Sequence, residues 1–127
     1  MRITTNFRTS EFDSKDGSPM PPAVRRNVVQ LAKSLQALRD SLGVPVLINS
    51  GYRSPAHNAR IGGVRNSQHV TGRAADITAR PFTPAQVAAR IERLIKEGKM
   101  KEGAVGIYST FVHYDTRGQR VRFRGNF

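Results

Sequence analysis

Two histidines and one aspartate stand out as residues able to do chemistry. His69 and Asp76 bracket the stretch "HVTGRAAD", and His113 lies in "FVHYD". The chain has three histidines and nine carboxylate side chains among 127 residues, and no cysteine. Any metal must therefore be held by nitrogen and oxygen atoms, and thiolate or disulfide chemistry is excluded. Zinc accepts histidine nitrogen and carboxylate oxygen, and a catalytic zinc keeps three protein ligands plus a water. His69, Asp76 and His113 are enough for such a site, although spacing alone makes a weak case. The third histidine, His57, falls beside Asn58 in a predicted short helix and reads as an exposed or capping residue.

Strand alternation decides which of these side chains can meet. In "FVHYDT", Phe111, His113 and Asp115 share one face and Val112 and Tyr114 the other. His113 and Asp115 then stand about 6–7 Å apart along the strand. In "RAADITA", Ala75 and Ile77 share a face, and Ala74, Asp76 and Thr78 share the opposite one. Asp76 is thus a carboxylate with small neighbours, and burial would oblige it to find a partner. A metal, an arginine such as Arg73, or backbone N–H groups would serve.

The elements that must position these residues read clearly. "PPAVRRNVVQLAKSLQALRDSLG" is an amphipathic helix, with Val24, Val28, Leu31, Leu35, Leu38 and Leu42 forming one stripe between Pro22 and Gly43. "VPVLINSG" (44–51) is a β-branched strand. "SPAHNARIGG" is a short helix capped by Ser54, with Pro55 at its first position. The loop carrying His69 leads into a strand over 73–79. "TPAQVAARIERLIKEG" is a second long helix; Thr83 and Gln86 can form a capping box, and Val87, Ile91, Leu94 and Ile95 form its apolar face. Strands follow at 104–109, at 111–116 and, after a turn at "RGQ", in "RVRFRG". Residues 1–20 read as an N-terminal arm pinned by Phe7 and Phe12. The expected architecture is one α+β domain over 1–127, a mainly antiparallel sheet packed by two long helices.

Lys and Arg total 21 against nine Asp and Glu, a net charge of +12. That predicts attraction to polyanions such as nucleic acid, anionic lipid or an acidic cell-wall polymer. The basic residues are spread along the chain, and no helix reads as a solid basic face, so nucleic-acid binding is not favoured. No stretch could span a membrane, and the N-terminus lacks the apolar run of a signal peptide. The expectation is a protein made in the cytoplasm, acting as a monomer.

"SGYRSPAHNARIGGVRNSQHVTGRAADI" resembles the zinc peptidases of the D-alanyl-D-alanine carboxypeptidase type. Their pattern, Ser-x-His-x-x-Gly-x-Ala-x-Asp with a distant histidine, stands here as Ser67, His69, Gly72, Ala74 and Asp76, with His113 further on. "SEF" (10–12), "SGYRSPAHN" (50–58) and "GIYSTFVHYDTRG" (106–118) extend the likeness over nearly the whole chain. The resemblance implies the small α+β zinc peptidase fold shared with hedgehog-type domains, and His69, Asp76 and His113 as zinc ligands. It further implies Arg53 beside the substrate carboxylate or scissile carbonyl, where a guanidinium binds a carboxylate or a developing oxyanion. Ser67 fits a substrate-contacting hydroxyl, and Gly72 a backbone conformation or close approach that a side chain would block.

The implied activity is hydrolysis of peptide bonds in peptidoglycan stem peptides or cross-links, by a carboxypeptidase or an endolysin-type endopeptidase of phage or bacterial origin that reaches the wall after release. A zinc domain that binds wall or protein without turnover is the alternative. The pattern departs at one place. Many relatives carry their general base three residues before the last histidine, and here that residue is Thr110. Elimination among the nine carboxylates leaves Asp115 as the candidate base, with Glu102 behind it.

Overall fold

The computed structural model describes residues 1–125. A 3-10 helix, Thr9–Phe12, precedes α1 (Pro22–Leu42), β1 (Leu47–Ser50), α2 (Pro55–Arg60), β2 (Ala74–Thr78), α3 (Pro84–Lys96), β3 (Ala104–Ile107), β4 (Val112–Asp115) and β5 (Val121–Arg124). The α+β expectation holds, with two long helices and one short one. The local signals also act as read. The Ser54 hydroxyl accepts from the His57 backbone N–H, Thr83 and Gln86 close a capping box, and Pro22, Pro55 and Pro84 open the three α-helices. Among the described residues no helix is long and apolar enough to cross a membrane.

The core lies between the helices and one face of the sheet. Val28, Leu31, Leu35, Leu38 and Leu42 of α1 meet Val87, Ile91 and Leu94 of α3 over Ala75, Ile77, Val105, Val112 and Tyr114. Phe7 and Phe12 are both buried there, so the arm packs as part of the body. Its polar residues fasten it further. Asp16 accepts from Ser14, Ser18 and Ser54, and the Tyr52 amide donates to the Phe12 carbonyl.

The sheet runs β1-β2-β4-β3-β5. All pairings are antiparallel except β3 with β5, which is parallel. The turn after β4 therefore does not lay β5 beside β4. Both edges of β4 are already taken, by β2 and β3, so the chain passes over to the free edge of β3. The register places Asp76 opposite His113 across β2–β4, and Gly106 opposite both His113 and Phe123. Directly opposed residues of an antiparallel pair project on the same face. Asp76 and His113 thus meet on the face away from the core, as alternation predicts.

Candidate metal centre

Three ligand atoms converge on that face. Asp76 Oδ1 is 3.3 Å from His69 Nε2 and 3.2 Å from His113 Nδ1, and a set of one atom from each residue falls within 4.8 Å. All three residues are buried. Tetrahedral zinc with bonds of about 2.0–2.2 Å needs ligand atoms roughly 3.3–3.6 Å apart, which the two measured distances approach.

The opposite ring nitrogens are also held. His69 Nδ1 lies 2.7 Å from the Gly51 carbonyl. A carbonyl can only accept, so Nδ1 carries the hydrogen, and Nε2 is the nitrogen that faces the centre. His113 Nε2 lies 2.8 Å from Asp115 Oδ2, and its Nδ1 faces Asp76. Each imidazole is therefore oriented from behind by an acceptor, as metal-ligating histidines are. The donor set and its supports fit a zinc ion.

The loop carrying His69 is built locally. The Ser67 hydroxyl accepts from the His69 backbone N–H, and the His69 carbonyl accepts from the backbone N–H groups of Arg53 and Gly72. Gly72 has a φ of +77° and sits where a Cβ would come 2.8 Å from the Val24 carbonyl. Both roles expected of it, left-handed backbone and close approach, coincide.

Arg53, rather than Arg73, is the arginine at Asp76. Its Nη2 is 3.4 Å from Asp76 Oδ2, while Nε donates to Ser50 and Nη1 to Asn58. Asn58, buried in α2, also donates 2.7 Å to the Val64 carbonyl and so ties the pocket rim to the arginine. Burial pushes the Asp76 carboxyl upward, but hydrogen bonds from His113 and His69 and their charges outweigh it and hold the group well below the usual carboxylate range.

A pocket of about 430 Å³ opens over the cluster, lined among others by Arg53, Ser67, His69, Asp76, Tyr108, His113, Arg117 and Phe123. Among the described residues lining it, Asp76 is the one carboxylate. Asp115, expected as the general base, lies elsewhere. It is fully buried behind His113 and accepts from His113, Arg117 and the Ala104 backbone N–H. Burial raises its pKa, yet those donors hold it far below the ordinary range. A general base must reach the proton that it abstracts. Asp115 is separated from the pocket by the imidazole it supports, so its position suits holding His113 and not shuttling protons. Glu102, the second candidate, pairs with Arg122 at 3.0 Å and is not among the residues that line the pocket. Thr110 lies beside Phe82 in a different pocket.

Sequence reasoning did not reach several residues in and around the site. The Gly51 carbonyl left no signal, because every residue has one. Asn58 was passed over as the neighbour of His57. Tyr108 had a usable signal, since Ala104, Gly106 and Tyr108 alternate with Val105 and Ile107; Phe123 had none, because its place opposite Gly106 depends on β5 pairing with β3.

An α+β domain whose sheet face carries two histidines and an aspartate around one point, under an open pocket, offers the donor set of a metal site. The chain belongs to the peptidase M15 family, whose sequence pattern matches residues 2–115. It is similar to the zinc D-Ala-D-Ala carboxypeptidase of Streptomyces albus G, 37% identical over 80 residues, covering 58% of this chain and 31% of that protein. The chain thus matches about a third of that relative's length. The crystal structure of the Serratia marcescens L-Ala D-Glu endopeptidase aligns with a TM-score of 0.44 at 25% identity, covering 60% of this chain and 70% of the other.

Proposed function

We propose that this protein is a zinc-dependent peptidase that hydrolyses peptide bonds in the stem peptides or cross-links of peptidoglycan. The observation that carries the proposal is the convergence of His69 Nε2, Asp76 Oδ1 and His113 Nδ1, with the outer ring nitrogens already engaged by Gly51 and Asp115. Membership of a peptidase family supports the reaction class. The D-Ala-D-Ala substrate named for the similar Streptomyces albus G carboxypeptidase supports the substrate class.

When bound, zinc would polarise a carbonyl and lower the pKa of a water. The chain's own residues do the rest. His69, Asp76 and His113 hold the ion. Gly51 and Asp115 fix the tautomers that leave the inner nitrogens free to bind it. Arg53 places positive charge beside Asp76, where a substrate carboxylate or developing oxyanion is attracted. Ser67 braces the His69 loop and borders the pocket, where its hydroxyl lies within reach of substrate. The place of action under this reading is the cell wall of a bacterial or phage-infected cell, and the charge of +12 supports attraction to its anionic polymers.

The test is metal content together with turnover. Purified protein should hold one zinc ion per chain and release new amino groups from purified peptidoglycan, read by mass spectrometry. Asp76→Ala should lose both. Zinc binding without cleavage of peptidoglycan or of soluble stem peptides would leave only a binding domain, and absence of zinc binding would remove the proposal altogether.

A further inference from the structure

Beside the ligand cluster the pocket has an aromatic wall. Tyr108 follows β3 and lines the pocket together with Arg53, Asp76 and His113. Its ring is fixed from several sides. Phe111 stacks on it at 4.3 Å with the planes 12° apart, and Phe123 meets it edge-on at 6.1 Å and 90°. The Gly125 backbone lies so close to the ring that a Cβ there would overlap Tyr108 Cδ1, Cε1 and Cζ. Backbone hydrogen bonds from Tyr108 to the Phe111 carbonyl and from Gly125 to the Ile107 carbonyl hold both flanks. Phe123 continues the wall to His113, with ring centroids 5.7 Å apart.

The phenol thus belongs to the site and is rigidly mounted there. The two charges that bear on it are those of Asp76 and Arg53, the groups at the reacting centre. Burial and Asp76 raise its pKa, so it remains a hydrogen-bond donor at neutral pH. Arg53 has donors committed to Ser50, Asn58 and Asp76. A neutral donor on a fixed ring in the same pocket would complement the guanidinium without adding charge.

We propose that Tyr108 is a catalytic residue whose phenol donates a hydrogen bond to the scissile carbonyl oxygen, most strongly as that oxygen gains negative charge. The proposal rests on the peptidase reading of the same site. Its physical basis is preorganisation: a donor already locked in place stabilises the developing oxyanion with no reorganisation at the moment of reaction. The phenol keeps its hydrogen throughout. Hydrolysis consumes one water, whose oxygen bonds to the carbonyl carbon as the C–N bond breaks, and one of whose protons ends on the leaving nitrogen.

Tyr108→Phe retains the ring stack and removes only the hydroxyl. On a soluble stem peptide its kcat should fall on the order of 10²-fold, the size seen when one oxyanion donor is removed. KM should change by less than about threefold, and zinc content and Tm should match the wild type. A phosphinate analogue of the same peptide, with a tetrahedral oxygen where the charge develops, should bind the variant about 10²-fold more weakly by calorimetry. Wild-type kcat in the variant, or equal phosphinate affinity in the two proteins, overturns the proposal. If the wild type binds zinc yet neither cleaves stem peptides nor binds the phosphinate, the peptidase reading fails first and takes the role of Tyr108 with it.

Discussion

Asp115 lies two residues after a ligand histidine and shares its strand face, which made it the natural choice as general base. Its surroundings argue for another task. A carboxylate with no exposed surface, engaged by His113, Arg117 and a backbone amide, has no open path to a substrate proton. Its negative charge instead holds Nε2 of His113, so that Nδ1 is the nitrogen that faces Asp76 and would be a better ligand for a metal there. Asp115→Asn preserves the shape and removes the charge, so it separates the two roles. A positioning role predicts zinc affinity weakened about 10–100-fold, read by chelator competition, with most of kcat restored once zinc is saturating. Loss of kcat that persists in zinc-saturated, folded variant would return Asp115 to the proton-transfer step. The family resemblance pointed to His69, Asp76 and His113, for which residue types and spacing alone made only a weak case. They could not show that Asp115 stands behind the imidazole, because alternation gives the face of a side chain and not its depth.

At the scale of elements, most of the fold followed from local rules. The apolar stripes of α1 and α3, the proline starts and the strand faces are fixed by neighbours a few residues away, so the sequence displays them. The place of β5 and the seat of the N-terminal arm depend on what other strands and backbone already occupy, and no local pattern encodes that. Gly51 joins these two levels. A Cβ at Gly51 would come 2.7 Å from the Phe12 Cα and 2.9 Å from its carbonyl oxygen, so the 3-10 helix packs backbone against backbone there. The same residue offers its carbonyl to His69 Nδ1. Gly51→Ala must therefore push the arm away or shift the carbonyl. Overpacking of this kind costs about 1–3 kcal/mol. The expected result is a lower Tm by thermal denaturation together with weaker zinc binding, whereas Gly17→Ala, at a turn where no heavy atom lies within 4 Å of the added Cβ, should lower Tm through backbone strain alone and leave zinc affinity intact. Unchanged zinc affinity in a destabilised Gly51→Ala protein would show that the arm stabilises the domain without touching the site.

Over the whole molecule, the excess of positive charge is sharpened by where the acids go. Asp16, Asp76 and Asp115 are drawn into internal hydrogen-bond networks, and Glu92 and Glu102 are both bound by Arg122. Few carboxylates remain to offset the basic side chains that face water, so the net charge of +12 is expressed mainly at the surface. Such a field acts over about a Debye length, roughly 10 Å at 0.1 M salt, and contracts to about 3 Å at 1 M. It should govern attachment to an anionic polymer much more than events inside the pocket, where separations are a few ångströms and partly shielded from ions. Binding to purified sacculi, measured by co-sedimentation, should therefore weaken steeply between about 0.05 and 0.5 M salt. Cleavage of a short, neutral stem peptide should change by less than about twofold over the same range. Salt-independent sacculus binding would mean that attachment rests on local contacts and that the overall charge serves something else. A parallel fall in both measurements would place the effective charge in the pocket, at Arg53 and Arg117, and make substrate capture itself the electrostatic step.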